Sequence, residues 1–146
     1  MLYDFLFPRY CREKVVSLLI LAARLVFGIL FLVHGYEKLM NFSTLSETFP
    51  SVLGFGSYMS LMLAIFCEFC GSLFLIAGLL QRVVLIPMII SMAVAFFDVH
   101  DAMLPEGELA LIYLIMFIIL FVTGPGRYSL DCLIVKKFNK DKQQEL

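Results

Sequence analysis

Four stretches of the chain are almost purely apolar, about Val15–Tyr36, Tyr58–Leu80, Val83–Phe97 and Leu109–Thr123, each bounded by polar or Gly/Pro-containing residues. At about 1.5 Å of rise per residue, the first two match a hydrocarbon core of about 30 Å. The third and fourth match it with help from polar flanks or local bilayer thinning. The pattern predicts an all-α protein: a four-helix transmembrane bundle with a short cytoplasmic interfacial C-terminal helix. The first stretch differs from a secretory signal peptide because its apolar run exceeds about 15 residues, it carries Arg24, and no small-residue cleavage site follows. Pro87 falls inside the third helix, where a missing backbone donor kinks the axis and neighbouring groups re-satisfy the carbonyl. Asn41–Ser57 reads as a re-entrant or interfacial loop, with Phe42, Phe49 and Phe55 on the membrane surface. After Gly124-Pro125-Gly126, Ser129 is a candidate N-cap. Beyond it, Leu130, Leu133, Ile134 and Phe138 recur at the spacing of an interfacial helix.

Composition agrees with that pattern. Of 146 residues, 62% are hydrophobic and 16% charged, with a mean hydropathy of +0.96, whereas soluble domains run at about 45–50% and about 25%. Subtracting four spans of about 20 residues leaves no room for a separate soluble catalytic domain, so residues 1–146 form a single membrane domain. A net charge of −1 lacks the basic excess that nucleic-acid binding needs. The cysteines Cys11, Cys67, Cys70 and Cys132 are too few, and too embedded in apolar sequence, for a secreted disulfide framework.

Lysine and arginine placement orients the helices. Arg9, Arg12 and Lys14 precede the first helix, Arg82 lies between the second and third, and Arg127, Lys136, Lys137, Lys140 and Lys142 follow the fourth. The opposite side has Lys38 alone, against Asp98, Asp101, Glu106 and Glu108 between the third and fourth helices. Both termini are therefore expected in the cytoplasm, with the His34 and His100 ends outside.

Arg24 and Glu68 are full charges inside apolar helices, the costliest placement in the chain. Counted from the ends of antiparallel helices, they fall about 14 and about 15 Å above the cytoplasmic boundary. Gly28 and Gly35 share the Arg24 face, and Ala64, Gly71 and Gly78 lie beside Glu68, so small residues let the two helices approach closely. An Arg24–Glu68 ion pair is expected at that seam. It predicts that Arg24→Ala is worse than joint leucine replacement, which leaves no lone carboxylate. A second polar layer gathers at the outer mouth: His34, Glu37, Lys38, Asp98, His100, Asp101, Glu106 and Glu108. Such groups offer ligands to a metal, a proton relay or hydrogen bonds to a carbonyl, but their spacing matches no specific metal motif. Cys67 and Cys70 form a C-x-x-C in mid-helix, where thiolate formation is disfavoured and two small apolar fillers is the plainer reading.

The same residues carry a resemblance. Ala23-Arg24-Leu25 with Gly28, Phe31, His34-Gly35 and Lys38-Leu39, then Glu68 with Gly71 and Gly78 to Arg82, then His100, Gly107-Glu108-Leu109-Ala110 and Gly124-Pro125-Gly126-Arg127-Tyr128-Ser129-Leu130-Asp131 resemble the DoxX family from about Val15 to Leu133. The resemblance implies a small four-helix protein of the bacterial inner membrane. Members have been linked to a thiosulfate:quinone oxidoreductase subunit and to membrane-associated oxidoreductase complexes, and relatives outside that group include assembly helpers. The C-x-x-C is not part of the family pattern.

Two functions follow. In the first, the chain is a redox-associated subunit that binds a quinone or similar lipophilic ligand among its helices. Arg24 and Glu68 form the floor, His34, His100 and Glu108 form a polar rim, and Lys38 is counted with them among the ligand-binding or buried polar residues. No flavin, haem or iron–sulfur motif is visible, so electrons would come from a partner protein and the chain is at most a subunit of an oxidoreductase complex; no catalytic or metal residue is assigned. In the second, it is a structural or assembly protein without a ligand, the Arg–Glu pair serving only helix packing. Lipid surrounds it in either case, with a redox protein or a second copy of the chain as candidate partner. A carrier role ranks last, because no paired broken helices build a midplane site.

Overall fold

A computed structural model describes residues 14–52 and 54–144. All regular structure among them is helical: α1 (Lys14–Met40), α2 (Phe42–Thr48), α3 (Gly56–Ala77), α4 (Gln81–Val99), α5 (Glu108–Thr123) and α6 (Leu130–Gln144). α1, α3 and α4 are long and apolar enough to cross a membrane, and α5 is a shorter apolar helix of 16 residues. Two π turns interrupt the α ladder, Phe66–Cys70 inside α3 and Ala95–Val99 at the end of α4.

The helix ends differ from the hydropathy pattern for local reasons. α1 runs on through Glu37 and Lys38 to Met40, because polarity ends an apolar run without ending a helix, and the Asn41 side-chain amide then donates to the Glu37 carbonyl at 2.8 Å. α3 stops at Ala77, three residues early, because Gly78 takes a left-handed conformation at φ +66. The Gly78 and Leu79 amides return to the carbonyls of Leu75 and Phe74 at 3.1 and 3.0 Å, the paired bonds of a Schellman stop. The 41–57 connection holds α2, and the ring of Phe42 meets Tyr58 edge-on at 5.4 Å. Ser129 caps α6 as expected, its hydroxyl accepting the Cys132 amide at 3.2 Å.

The core is built from one stripe of each long helix. Phe31, Leu75, Leu85, Met88, Phe117 and Leu120 are sealed within it, and the Phe31 ring stands 5.0 Å from Phe117 and 4.9 Å from Tyr113. Close approach of α1 and α3 rests on Gly28, which faces the Ile76 side chain, and Gly35, which faces the backbone of Glu68 and Phe69. The outward stripes are apolar as well, with Leu19, Val26 and Ile29 of α1 and Ile115, Ile119 and Val122 of α5 exposed. So much exposed apolar surface suits a hydrocarbon solvent rather than water.

α1, α3, α4 and α5 alternate in direction. The start of α3, the start of α5 and the far ends of α1 and α4 gather at one end, here the Lys38 end. Their opposite termini meet the residues after α5 at the Arg24 end.

Candidate functional site

Arg24 is 1% exposed and spends its guanidinium on the backbone. It donates to the carbonyls of Leu75 (3.0 Å), Ile76 (2.8 Å), Pro125 (2.9 Å) and Tyr128 (3.0 Å). The first two are carbonyls of the last turn of α3, where the regular ladder runs out and Leu75 also accepts the Gly78 amide, and the last two belong to the loop folding back under the helices. Asp131, fully buried, completes the knot from the other side: its carboxylate accepts the amides of Leu80 and Gln81 at 2.7 and 3.1 Å, where α4 begins. The Gln81 side-chain amide, through Nε2, donates to the Leu120 carbonyl of α5 at 3.1 Å. These groups tie α1, α3, α4, α5 and α6 together, and their bonds are directed at backbone rather than at open space.

The expected Arg24–Glu68 pair is therefore corrected. Gly35, not Arg24, sits level with Glu68, and Arg24 lies eleven residues further down α1, roughly 17 Å of rise. Counting depths assumed that α1 begins and α3 ends in one plane. Instead α3 ends near the level of Gly28, and α1 continues past it, covered by the returning loop at Gly126, which packs on Ile20 and Ser17.

The partner of Glu68 is Lys38. Its ammonium donates to both carboxylate oxygens at 2.5 Å, and the residues come from the facing seams of α1 and α3. Glu68 is buried, whereas the Lys38 side chain keeps 27% of its surface exposed. The pair lies beside a cavity of about 510 Å³ walled by α1, α3, α4, α5 and the Phe49–Phe55 connection. Most of its wall is apolar, including Phe31, Leu63, Pro87, Ile90 and Met92, and its polar groups are the pair itself with His34, Ser60, Ser91, His100, Glu106 and Tyr113. The His34 ring stands edge-on to Tyr113 at 6.1 Å. Both π turns border this space: one presents Glu68 and the other Ala95 and Val99. Such turns recur at functional sites because they re-aim side chains out of helical register.

Of the residues singled out from the sequence, Glu68, Lys38, His34 and His100 converge on this cavity. Arg24 stands at the opposite end. Glu108 opens α5 and is exposed, and its neighbour Glu106 lines the cavity in its place. Phe49 and Phe55, expected on the membrane surface, line the cavity mouth. Tyr113 and Asp131 were missed. Tyr113 had a signal, as the single hydroxyl-bearing ring in an otherwise aliphatic and Phe-rich α5. Cys67 and Cys70 are free thiols, and the wide π turn fans them apart so that Cys67 borders the cavity and Cys70 does not. Among the described residues, no three His, Cys, Asp or Glu side chains group closely enough to hold a metal ion.

Close helix contact at Gly35 sets the height of Glu68. An added Cβ there would stand 2.6 Å from the Phe69 amide nitrogen and 2.9 Å from the Glu68 carbonyl carbon, and both are backbone atoms that yield only if the helix moves. Gly35→Ala is expected to push α3 off α1, lowering the detergent melting temperature and loosening the Lys38–Glu68 pair. An unchanged melt would mean that the seam is slacker than its geometry.

A family model for DoxX matches residues 19–101, more than half of the chain. The chain belongs to the DoxX family. The matched region contains Arg24, His34, Lys38, Glu68 and His100, while the Gly107–Ala110 and Gly124–Asp131 segments lie beyond it. An uncharacterized protein of Haemophilus influenzae is 29% identical over 133 residues, covering 86% of this chain and 97% of that protein. The inner membrane protein YqjF of Escherichia coli is 29% identical over 137 residues, covering 86% of this chain and 99% of its own length. No solved structure matches.

Proposed function

We propose that this DoxX-family chain is a multi-pass protein of the bacterial inner membrane that binds a quinone or a similar lipophilic molecule in the cavity at its Lys38 end. The location rests on the apolar outer surfaces and on the inner-membrane relative. On this reading α1, α3, α4 and α5 form a four-helix transmembrane bundle. The basic residues at the Arg24 end support a cytoplasmic side for both termini, with α6 along the inner interface and its exposed Leu130, Leu133 and Phe138 toward lipid. α5 covers about 24 Å by itself, so the bilayer thins around it or its polar flanks reach outward.

The observation that carries the binding role is the cavity: about 510 Å³ of mostly apolar space with a few polar groups at one side, the usual composition of a small-molecule site. The walls take a hydrophobic body, and His34, Lys38, Glu68, His100 and Tyr113 take the polar head. A quinone in this place would make the chain a subunit served by an electron-donating partner protein.

Mass spectrometry of lipophilic molecules that co-purify in mild detergent tests the proposal, with Ala64→Phe as the control. Ala64 borders the cavity, so a phenyl ring there is expected to expel the ligand while leaving the melt within a few degrees. His34→Ala and His100→Ala are expected to fold and to retain less ligand. A folded wild-type protein carrying no stoichiometric molecule would favour the structural or assembly role.

A further inference from the structure

We infer that the head group taken by this cavity is cationic: its ligand is a lipophilic cation that takes Glu68 over from Lys38. The inference rests on the cavity being a binding site and adds the sign of the charge it selects.

Glu68 is the fixed half of its ion pair. Its short side chain springs from the π turn held against Gly35, and the residue is 3% exposed. Lys38 is the movable half, an ammonium on a long flexible stem with 27% of the side chain exposed at the open end of the helices. Among the lining residues Lys38 is the one Lys or Arg, and both carboxylate oxygens already hold it. A hydrophobic cation therefore finds a buried carboxylate whose present partner has water to retreat to. An anionic amphiphile finds, as the one Lys or Arg of the lining, an ammonium that is already neutralised.

The approach to the cavity has the same sign. The segments 37–57 and 98–108 carry Lys38 against six carboxylates, Glu37, Glu47, Asp98, Asp101, Glu106 and Glu108. Glu106 borders the cavity, Asp101 is exposed in the same connection, and Asp98 and Glu108 are exposed at the helix ends that flank it. Clefts lined by one sign of charge between low-dielectric walls concentrate the opposite ion. The aromatic residues of the wall, Phe31, Phe49, Phe55 and Tyr113, suit an onium head, which is attracted to ring faces. A neutral quinone gains nothing from this field.

Tetraphenylphosphonium and tetraphenylborate have nearly one shape and opposite charge. Equilibrium dialysis of each against the full chain in nonionic detergent, with protein-free micelles as reference and a short-chain quinone as neutral probe, decides the matter. The phosphonium is expected to bind one per chain, at least tenfold more tightly than the borate. Glu68→Gln should weaken it at least tenfold, and Lys38→Met should tighten it several-fold by vacating the carboxylate. If Lys38→Met does not fold, the two ions on wild type and Glu68→Gln still decide. Equal binding of phosphonium and borate overturns the inference. So does quinone binding that is tighter than the phosphonium and indifferent to Glu68→Gln, although that result leaves the cavity a ligand site. If folded protein binds none of the three, the cavity reading falls with it.

Discussion

Arg24→Leu is expected to be the most damaging single substitution in the chain, and adding Glu68→Leu is expected not to rescue it. Arg24 donates four hydrogen bonds to backbone carbonyls. Hydrogen bonds to a charged group contribute roughly 1.5–3 kcal/mol each, and an acceptor left buried without a donor costs about 1–3 kcal/mol. Partial recovery by water at the Arg24 end reduces that sum, so a net loss of about 3–5 kcal/mol is expected, comparable to breaking a buried ion pair. That is a large share of the roughly 5–15 kcal/mol that holds an ordinary protein folded. The measurement is a four-member mutant cycle read by thermal unfolding in detergent. Sites more than about 7–10 Å apart with no shared partner add within roughly 0.5 kcal/mol, and these are eleven residues apart along the α1 register. A strong positive coupling between Arg24 and Glu68 would show that the two charges meet after all.

Lys38 and Glu68 are expected to behave in the opposite way. Lys38→Met strands Glu68 in an apolar wall, for an expected loss of about 2–4 kcal/mol, toward the lower end of the range for a broken buried pair because Lys38 is partly exposed. Glu68→Leu should cost less. A lone lysine at that height extends its stem toward the helix end and keeps its charge in water, whereas a carboxylate on a two-carbon stem has no such reach. Lys38→Met combined with Glu68→Leu should recover most of the stability lost in Lys38→Met alone, because no buried charge remains. The same thermal cycle reads this, and additive losses would mean that the two side chains act independently. The comparison also separates stability from function, since the double variant should melt normally while its cavity has lost its polar floor.

The partners of Arg24 and Glu68 correct a sequence inference that was right about the residues and wrong about the pairing. A charge in an apolar run needs a partner, and that physical cost marked Arg24 and Glu68 before any fold was known. The partner of each was supplied by something that hydropathy does not register. For Arg24 it is backbone: carbonyls freed at the end of α3 and in the 125–128 turn, which carry no side-chain signature. For Glu68 it is Lys38, which the sequence placed with the candidate binding residues of the outer mouth, a layer apart from Glu68, because the apolar run stops before the helix does. Glu106 and Glu108 show a smaller version of the same limit. Both Glu106 and Glu108 are visible as acidic residues before α5, but only the path of the chain decides that Glu106 reaches the cavity.

Sequence by itself determined the class of solvent and the four long apolar helices, though not α2, because both follow from local and additive quantities: the free energy of moving each side chain out of water, and the rise per residue of a helix. It also determined that His34, Lys38, Glu68 and His100 require an account, because polar groups among apolar ones are costly wherever they end up. Tertiary structure alone decided the vertical register of α1 against α3, through the contact of Gly35 with the backbone at Glu68 and the stop at Gly78. It decided that the charged residues divide into a knot at one end and an ion pair beside a cavity at the other. Register is a property of two surfaces in contact. A slide of one helix along the other leaves every residue's own hydropathy unchanged and alters only which partners meet.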